Sequence, residues 1–175
     1  MTLLQVDSYN KTGNTNTINY LCHQIKSNIN MASIRNIKKS NKYLTVDYSD
    51  FSHEEYLNLL HSGSKVEPRK KAAQELLNYL CDKYGIPRCP IFVFNTTYDP
   101  KFGFTCMGLY QGVKEGITLW NNRHYMVPCD IRTFINTLLH EFMHHYDYYY
   151  LRLPDSVHCK GFESRIRDLR RKLAS

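Results

Sequence analysis

Within this 175-residue chain, the run His140-Glu141-Phe142-Met143-His144 has the residue types and spacing for metal-assisted hydrolysis. Each residue of an α-helix advances about 100°, so His140 and His144 project only about 40° apart. Two imidazoles one turn apart can meet a single tetrahedral Zn²⁺ at about 2.0–2.1 Å each. Glu141 stands about 100° from His140, within reach of a water at the metal but off the ligand line. Two ligands, an adjacent base and an open coordination position are what amide hydrolysis at zinc requires. The competing reading is a pair of histidines that simply fill the core. Against it, Ile131, Phe134, Ile135, Leu138, Phe142 and Tyr146 form an apolar stripe about 120–260° from His140, so both histidines face away from the packed side.

A catalytic zinc needs a third protein ligand, and two downstream residues qualify: His158, and Glu163 in the helix that follows. A ligating Glu is commonly backed by an acid one turn later, whereas Arg167 occupies that place and suits an ordinary intrahelical pair with Glu163. This favours His158 and leaves Glu163 as the alternative. Asp147 returns to within about 20° of His140, a place from which it can orient a ligand's second nitrogen; a surface charge near the helix end is the plainer reading. His145 lies about 140° from His140, towards the apolar stripe, and reads as a partly buried structural histidine. Among the tyrosines, Tyr110, Tyr125 and the run Tyr146 to Tyr150 offer hydroxyls for stabilising an oxyanion, with none preferred.

These residues have to be presented by a helix and backed by a sheet. Asp130 is a good N-cap for a helix from Ile131 to about Tyr148. Upstream, Ala73, Leu76, Leu77, Leu80 and Tyr84 recur at helical spacing after Pro68, and Gly85 and Pro87 close that element. Pro90–Asn95, Phe102–Tyr110 and Gly116–Trp120 read as three strands. Phe162, Ile166, Leu169 and Leu173 make the apolar stripe of a last helix whose arginines Arg165, Arg167, Arg170 and Arg171 read as a solvated or phosphate-binding face. Ser52 and Glu55 form a capping box for a short helix from His53 to His61. Residues 1–65 are expected to be a polar N-terminal segment, partly disordered or a short helical arm around Ile18–Ile25, and 66–175 the functional domain.

On HExxH and the later His158…Phe162 spacing, with this order of helix, strands and active helix, the region from Pro68 to Leu173 resembles the SprT-like (Spartan-type) metallopeptidases. The resemblance implies an α+β, zincin-like fold, with a small three-stranded sheet packed on the HExxH helix and flanking helices. It implies one catalytic Zn²⁺ held by His140, His144 and His158, with Glu141 as catalytic base, and a cleft bounded by Gly116–Trp120 as an edge strand. Where the family more often has Gly directly after the third His, this chain has Cys159, with Gly at 161. A minimal gluzincin, with Glu163 as ligand, is the nearest alternative.

The formal charge of +7 suits an acidic partner, and the basic last helix is the candidate nucleic-acid contact. The peptide or protein substrate is the principal expected partner. No stretch is long and apolar enough for a bilayer, and the N-terminus lacks a secretory pattern, so a cytoplasmic protein with reduced cysteines is expected. Rival readings are a DNA-associated protease, an autoinhibited one with the arm in the cleft and Cys22 on zinc, and a non-catalytic zinc-stabilised binding protein.

Overall fold

The computed structural model describes residues 31–95, 107–122, 127–153 and 155–175. The expected arm helix at Ile18–Ile25, together with Cys22, Cys106 and Tyr125, lies outside them. The described elements are α1 (Met31–Ser40), α2 (Glu54–Leu60), α3 (Val66–Tyr84), β1 (Ile91–Phe94), β2 (Gly108–Tyr110), β3 (Ile117–Trp120), α4 (Ile131–Tyr149) and α5 (Lys160–Ala174). Among the described residues the architecture is α+β: five helices with a small three-stranded mixed sheet. No described helix is long and apolar enough to cross a membrane.

Local chemistry sets the boundaries. Ser52 Oγ accepts from the Glu54 N–H and donates to the Glu55 carboxylate, which starts α2. α3 begins two residues before Pro68, which occupies its first turn, where a missing N–H costs nothing. It ends at Gly85, whose φ of 61° is the left-handed C-cap that glycine adopts without strain. Asp130 caps α4 by accepting from the Thr133 N–H at 2.9 Å, a contact worth about 1 kcal/mol.

The strand order is β1-β3-β2, with β1 parallel and β2 antiparallel to β3. This corrects the expectation that Gly116–Trp120 forms the edge. β3 is central, and the strand bordering the active helix on the open side is β2. Ile117, Thr118 and Leu119 are all buried, so both faces of β3 are covered over this stretch. Of the expected strand Phe102–Tyr110, residues 102–106 lie outside the described residues.

One sheet face, with Ile91, Val93, Ile117 and Leu119, packs towards α3 and α4. Phe134, Leu138, Phe142 and Tyr146 carry α4 into the same core, closed from the other side by Phe162, Leu169 and Leu173 of α5. Residues 36–175 form one compact unit, beginning at Asn36 instead of near residue 66. Val46, Phe51 and Leu59, upstream of that expected boundary, are buried core residues. Tyr84 gathers Phe51, Phe142, Tyr146 and Tyr150 around its ring, tying the segment before α2 to α4.

Candidate metal centre

His140 and His144 stand one turn apart on α4, and His158 reaches them from the loop that leads into α5. His158 Nε2 lies 3.1 Å from His140 Nε2 and 3.0 Å from His144 Nε2. Tetrahedral ligation with bonds of about 2.0–2.1 Å spaces ligand atoms about 3.3–3.4 Å apart, so His158 Nε2 stands from each of the other two at nearly the separation an ion demands. Among the described residues this is the one group of three or more His, Cys, Asp or Glu side chains whose donor atoms converge on a common point. The buried Phe162 ring packs under all three imidazoles, with centroids 5.1, 4.7 and 5.0 Å from His140, His144 and His158. An apolar floor of this kind keeps water from the back of the cluster and fixes the ring planes.

A hydrogen-bonded chain behind His144 fixes its tautomer. Arg165 Nη2 donates to Asp147 Oδ2 at 2.7 Å, and Ser156 Oγ donates to the same oxygen at 3.1 Å. Having given its proton to Asp147, the Ser156 oxygen accepts from His144 Nδ1 at 2.9 Å. His144 Nδ1 therefore carries the proton, and Nε2 presents a lone pair to the cluster. Burial and the neighbouring imidazoles push His144 down to about 3, and burial with the His158 ring lowers His140 as well. Both are thus neutral, the form a metal binds.

Asp147 was expected either beside a ligand or on the surface. It is fully buried, and it reaches His144 through Ser156 instead of directly. Burial raises its carboxyl, while the Arg165 charge and the Ser156 hydroxyl oppose that. Arg165 is correspondingly not part of a solvated basic face. Its side chain is wholly buried and also donates to the carbonyls of Ser40 and Tyr43. Removing either partner would strand the other charge in the core, at a cost of about 3–5 kcal/mol.

Glu141 is 7% exposed and lines the same cleft as the three histidines. Burial pushes its carboxyl up to about 7, against a hydrogen bond from the Tyr110 backbone that lowers it. β2 passes so close that a Cβ at Gly108 would meet Thr137 Cγ2 at 2.6 Å and Glu141 Oε1 at 2.8 Å. Glycine at 108 is what lets a strand lie directly on the acid. The cleft, of about 530 Å³, has Met107, Gly108 and Leu109 on one side and Thr133, Asn136 and Thr137 of α4 on the other.

No protein-family model matches the chain, and comparisons with curated proteins and with solved structures return no significant match. The chemical reading therefore rests on the geometry of the side chains themselves.

The other candidates fall into place around the cluster. Glu163 is exposed and lies outside the converging group, although its charge is near enough to act on His140. His145 is fully buried, with Nε2 2.7 Å from the Pro87 carbonyl and Nδ1 2.9 Å from the Tyr110 hydroxyl. Since the carbonyl only accepts, Nε2 holds the proton and Nδ1 takes one from Tyr110. That commits the Tyr110 hydroxyl to His145. Tyr150 is committed to Asp47, and Tyr146 is buried. Tyr148 is 52% exposed and lines the end of the cleft beside His144, Glu141 and Ser156. Sequence reasoning missed Ser156, Gly108 and the buried role of Arg165. Only Arg165 carried a signal, lying three residues after Phe162 and four before Leu169 on the apolar side of its helix.

Proposed function

We propose that this chain is a zinc-dependent metallopeptidase with a zincin-like, SprT-like arrangement. His140, His144 and His158 would hold the ion, and Glu141 is the general base and acid. The observation that carries the reading is His158 Nε2 standing 3.1 and 3.0 Å from the Nε2 atoms of His140 and His144, all three donors within 4.8 Å of one another, in a cleft that also holds a buried carboxylic acid. A zinc ion held there supplies Lewis acidity towards the carbonyl and the attacking water.

The rest is the work of this chain's side chains. A peptide enters between α4 and β2, along the cleft wall formed by Met107, Gly108 and Leu109. Glu141, held against β2 by the Tyr110 backbone, removes the proton of the attacking water and then returns it to the departing amine nitrogen. A carboxyl raised by burial suits this exchange, because it gives up and regains a proton near neutral pH. Ser156 and Asp147 keep His144 in its ligating tautomer throughout, and Phe162 holds the three rings in register.

Glu141→Gln should keep one zinc per chain and lower hydrolysis of an unfolded protein substrate by about 10²–10⁴-fold. Undiminished hydrolysis would reject the assignment of the base. His158→Ala should lose zinc and Glu163→Ala should retain it, as read by metal analysis; the reverse result would move the third ligand to Glu163. A zinc-loaded wild type that cuts no peptide, and that unfolds when stripped of metal, would identify a zinc-stabilised binding protein instead.

A further inference from the structure

Four arginines from two helices line a second groove, of about 630 Å³: Arg132 of α4 with Arg167, Arg170 and Arg171 of α5. Its other walls include Tyr56, Leu57, Leu60 and Ile135, and among the described residues no acidic side chain lines it. Arg171 is paired with Asp168 at 2.6 Å. Arg132, Arg167 and Arg170 have no carboxylate partner among the described residues. Arg167 and Arg170 reach only neutral oxygens, Ser164 Oγ and Asn136 Oδ1, each at 3.2 Å.

This groove neighbours the histidine cleft along α4. Asn136 lines both. Arg132, Asn136, His140 and His144 follow one another at intervals of four, each about 40° further round α4, so Arg132 stands about 80° from His140. Eight helical residues separate Arg132 from His140, a rise of about 12 Å. An extended peptide covers that distance in roughly three to four residues at about 3.3 Å each.

We infer that the arginine groove is a subsite that receives acidic side chains of the cleaved polypeptide, roughly three to four residues from the bond that is cut. The inference rests on the peptidase reading for what is cut, and on the groove for where the rest of the substrate lies. Guanidinium forks match carboxylates in bidentate geometry. The aliphatic walls beside them, Leu57, Leu60 and Ile135, suit a peptide of mixed acidic and apolar residues, whereas a phosphate backbone would engage the arginines and leave those walls unused.

The test uses two fluorescent, unstructured peptides that differ only in glutamates, or the isosteric glutamines, three and four residues to either side of a central bond. On the zinc-loaded Glu141→Gln protein, anisotropy should show the glutamate peptide binding about tenfold tighter or more. That preference should shrink with salt and vanish in an added Arg167→Gln/Arg170→Gln pair, two exposed positions. With Glu141 intact, kcat/KM should favour the glutamate peptide, and the arginine pair should lose that advantage while cutting the glutamine peptide as before. Equal affinity for the two peptides, or a preference that survives loss of the arginines, overturns the subsite. So does a DNA oligonucleotide that binds more tightly than the glutamate peptide and displaces it through the same arginines. Arginine-dependent binding without any cleavage would reject the peptidase reading and leave the acidic subsite standing, whereas cleavage without preference would reject the subsite alone.

Discussion

His144 and His145 are adjacent in the chain, both are screened from solvent, and burial lowers the basicity of both. They differ in what their nitrogens face. His145, on the side of α4 turned towards β2 and Pro87, has one nitrogen on a carbonyl and the other on a tyrosine hydroxyl. His144, on the cleft side, has one nitrogen fixed by Ser156 and the other aimed at two more imidazoles. Burial alone therefore does not mark a ligand. What marks it is a lone pair that the surrounding protein orients but leaves without a proton to accept.

Four substitutions probe that distinction, the largest expected effect first. His144→Ala should abolish stoichiometric zinc binding, while His145→Gln should leave zinc content near one per chain; parallel metal analysis decides it, and equal loss in both would erase the distinction. Ser156→Ala should weaken zinc binding by about 10–100-fold, because His144 loses the acceptor that sets its tautomer. Competition with a chelator reads this out, and an unchanged affinity would show that the serine does not orient the ring. His145→Phe should cost about 1–3 kcal/mol of stability in denaturant unfolding, by leaving the Pro87 carbonyl and Tyr110 hydroxyl without their partner. Its zinc affinity should be near that of the wild type.

The smallest effect separates the two buried aspartates of this region. Asp147 stands behind the cluster, whereas Asp168 serves the fold by accepting from the Val46 N–H and pairing with Arg171 and Lys172. Burial works to raise Asp168, but hydrogen bonds from Lys172, Arg171 and Val46 prevail and hold it below the usual carboxylate range. A carboxyl lowered on folding stabilises above its unfolded value, and that contribution fades as pH falls through the folded value. Asp168→Asn should thus cost about 1 kcal/mol near pH 7, and the cost should diminish in acid below the normal carboxylate range. Zinc content should not change at neutral pH.

The parts of this centre that depend on local spacing were legible in the sequence. HExxH sets two imidazoles on one face whatever the surroundings, and Asp130 announces the helix start; the apolar run of β1 marks a strand but not its pattern, since Phe92 and Phe94 are exposed. Strand order was not legible in that way, because pairing is decided by long-range fit. Even so, the β-branched and apolar residues of Ile117–Leu119 leave no charged or strongly polar position of the kind that protects an exposed edge. Arg165 was misread because its charge outweighed its position; the acid that compensates it, Asp147, lies on another helix. Ser156 carried no signal, since its role exists only once the loop after α4 folds back over His144.

Gly108 has a further consequence, for mutational tolerance. The spacing between β2 and the acid is set by an atom that is absent, so a larger residue cannot escape by its own choice of rotamer: the clash begins at Cβ, and the side chains of Thr137 and Glu141 must give way instead. A saturation library across β2 should therefore be sharply uneven. Leu109, 43% exposed, should accept many replacements, while position 108 should return one residue under selection for activity, where Glu141 must keep its place, and several small ones under selection for folding. The distance between those two profiles would measure how much of the strand's placement serves the chemistry and how much serves the fold.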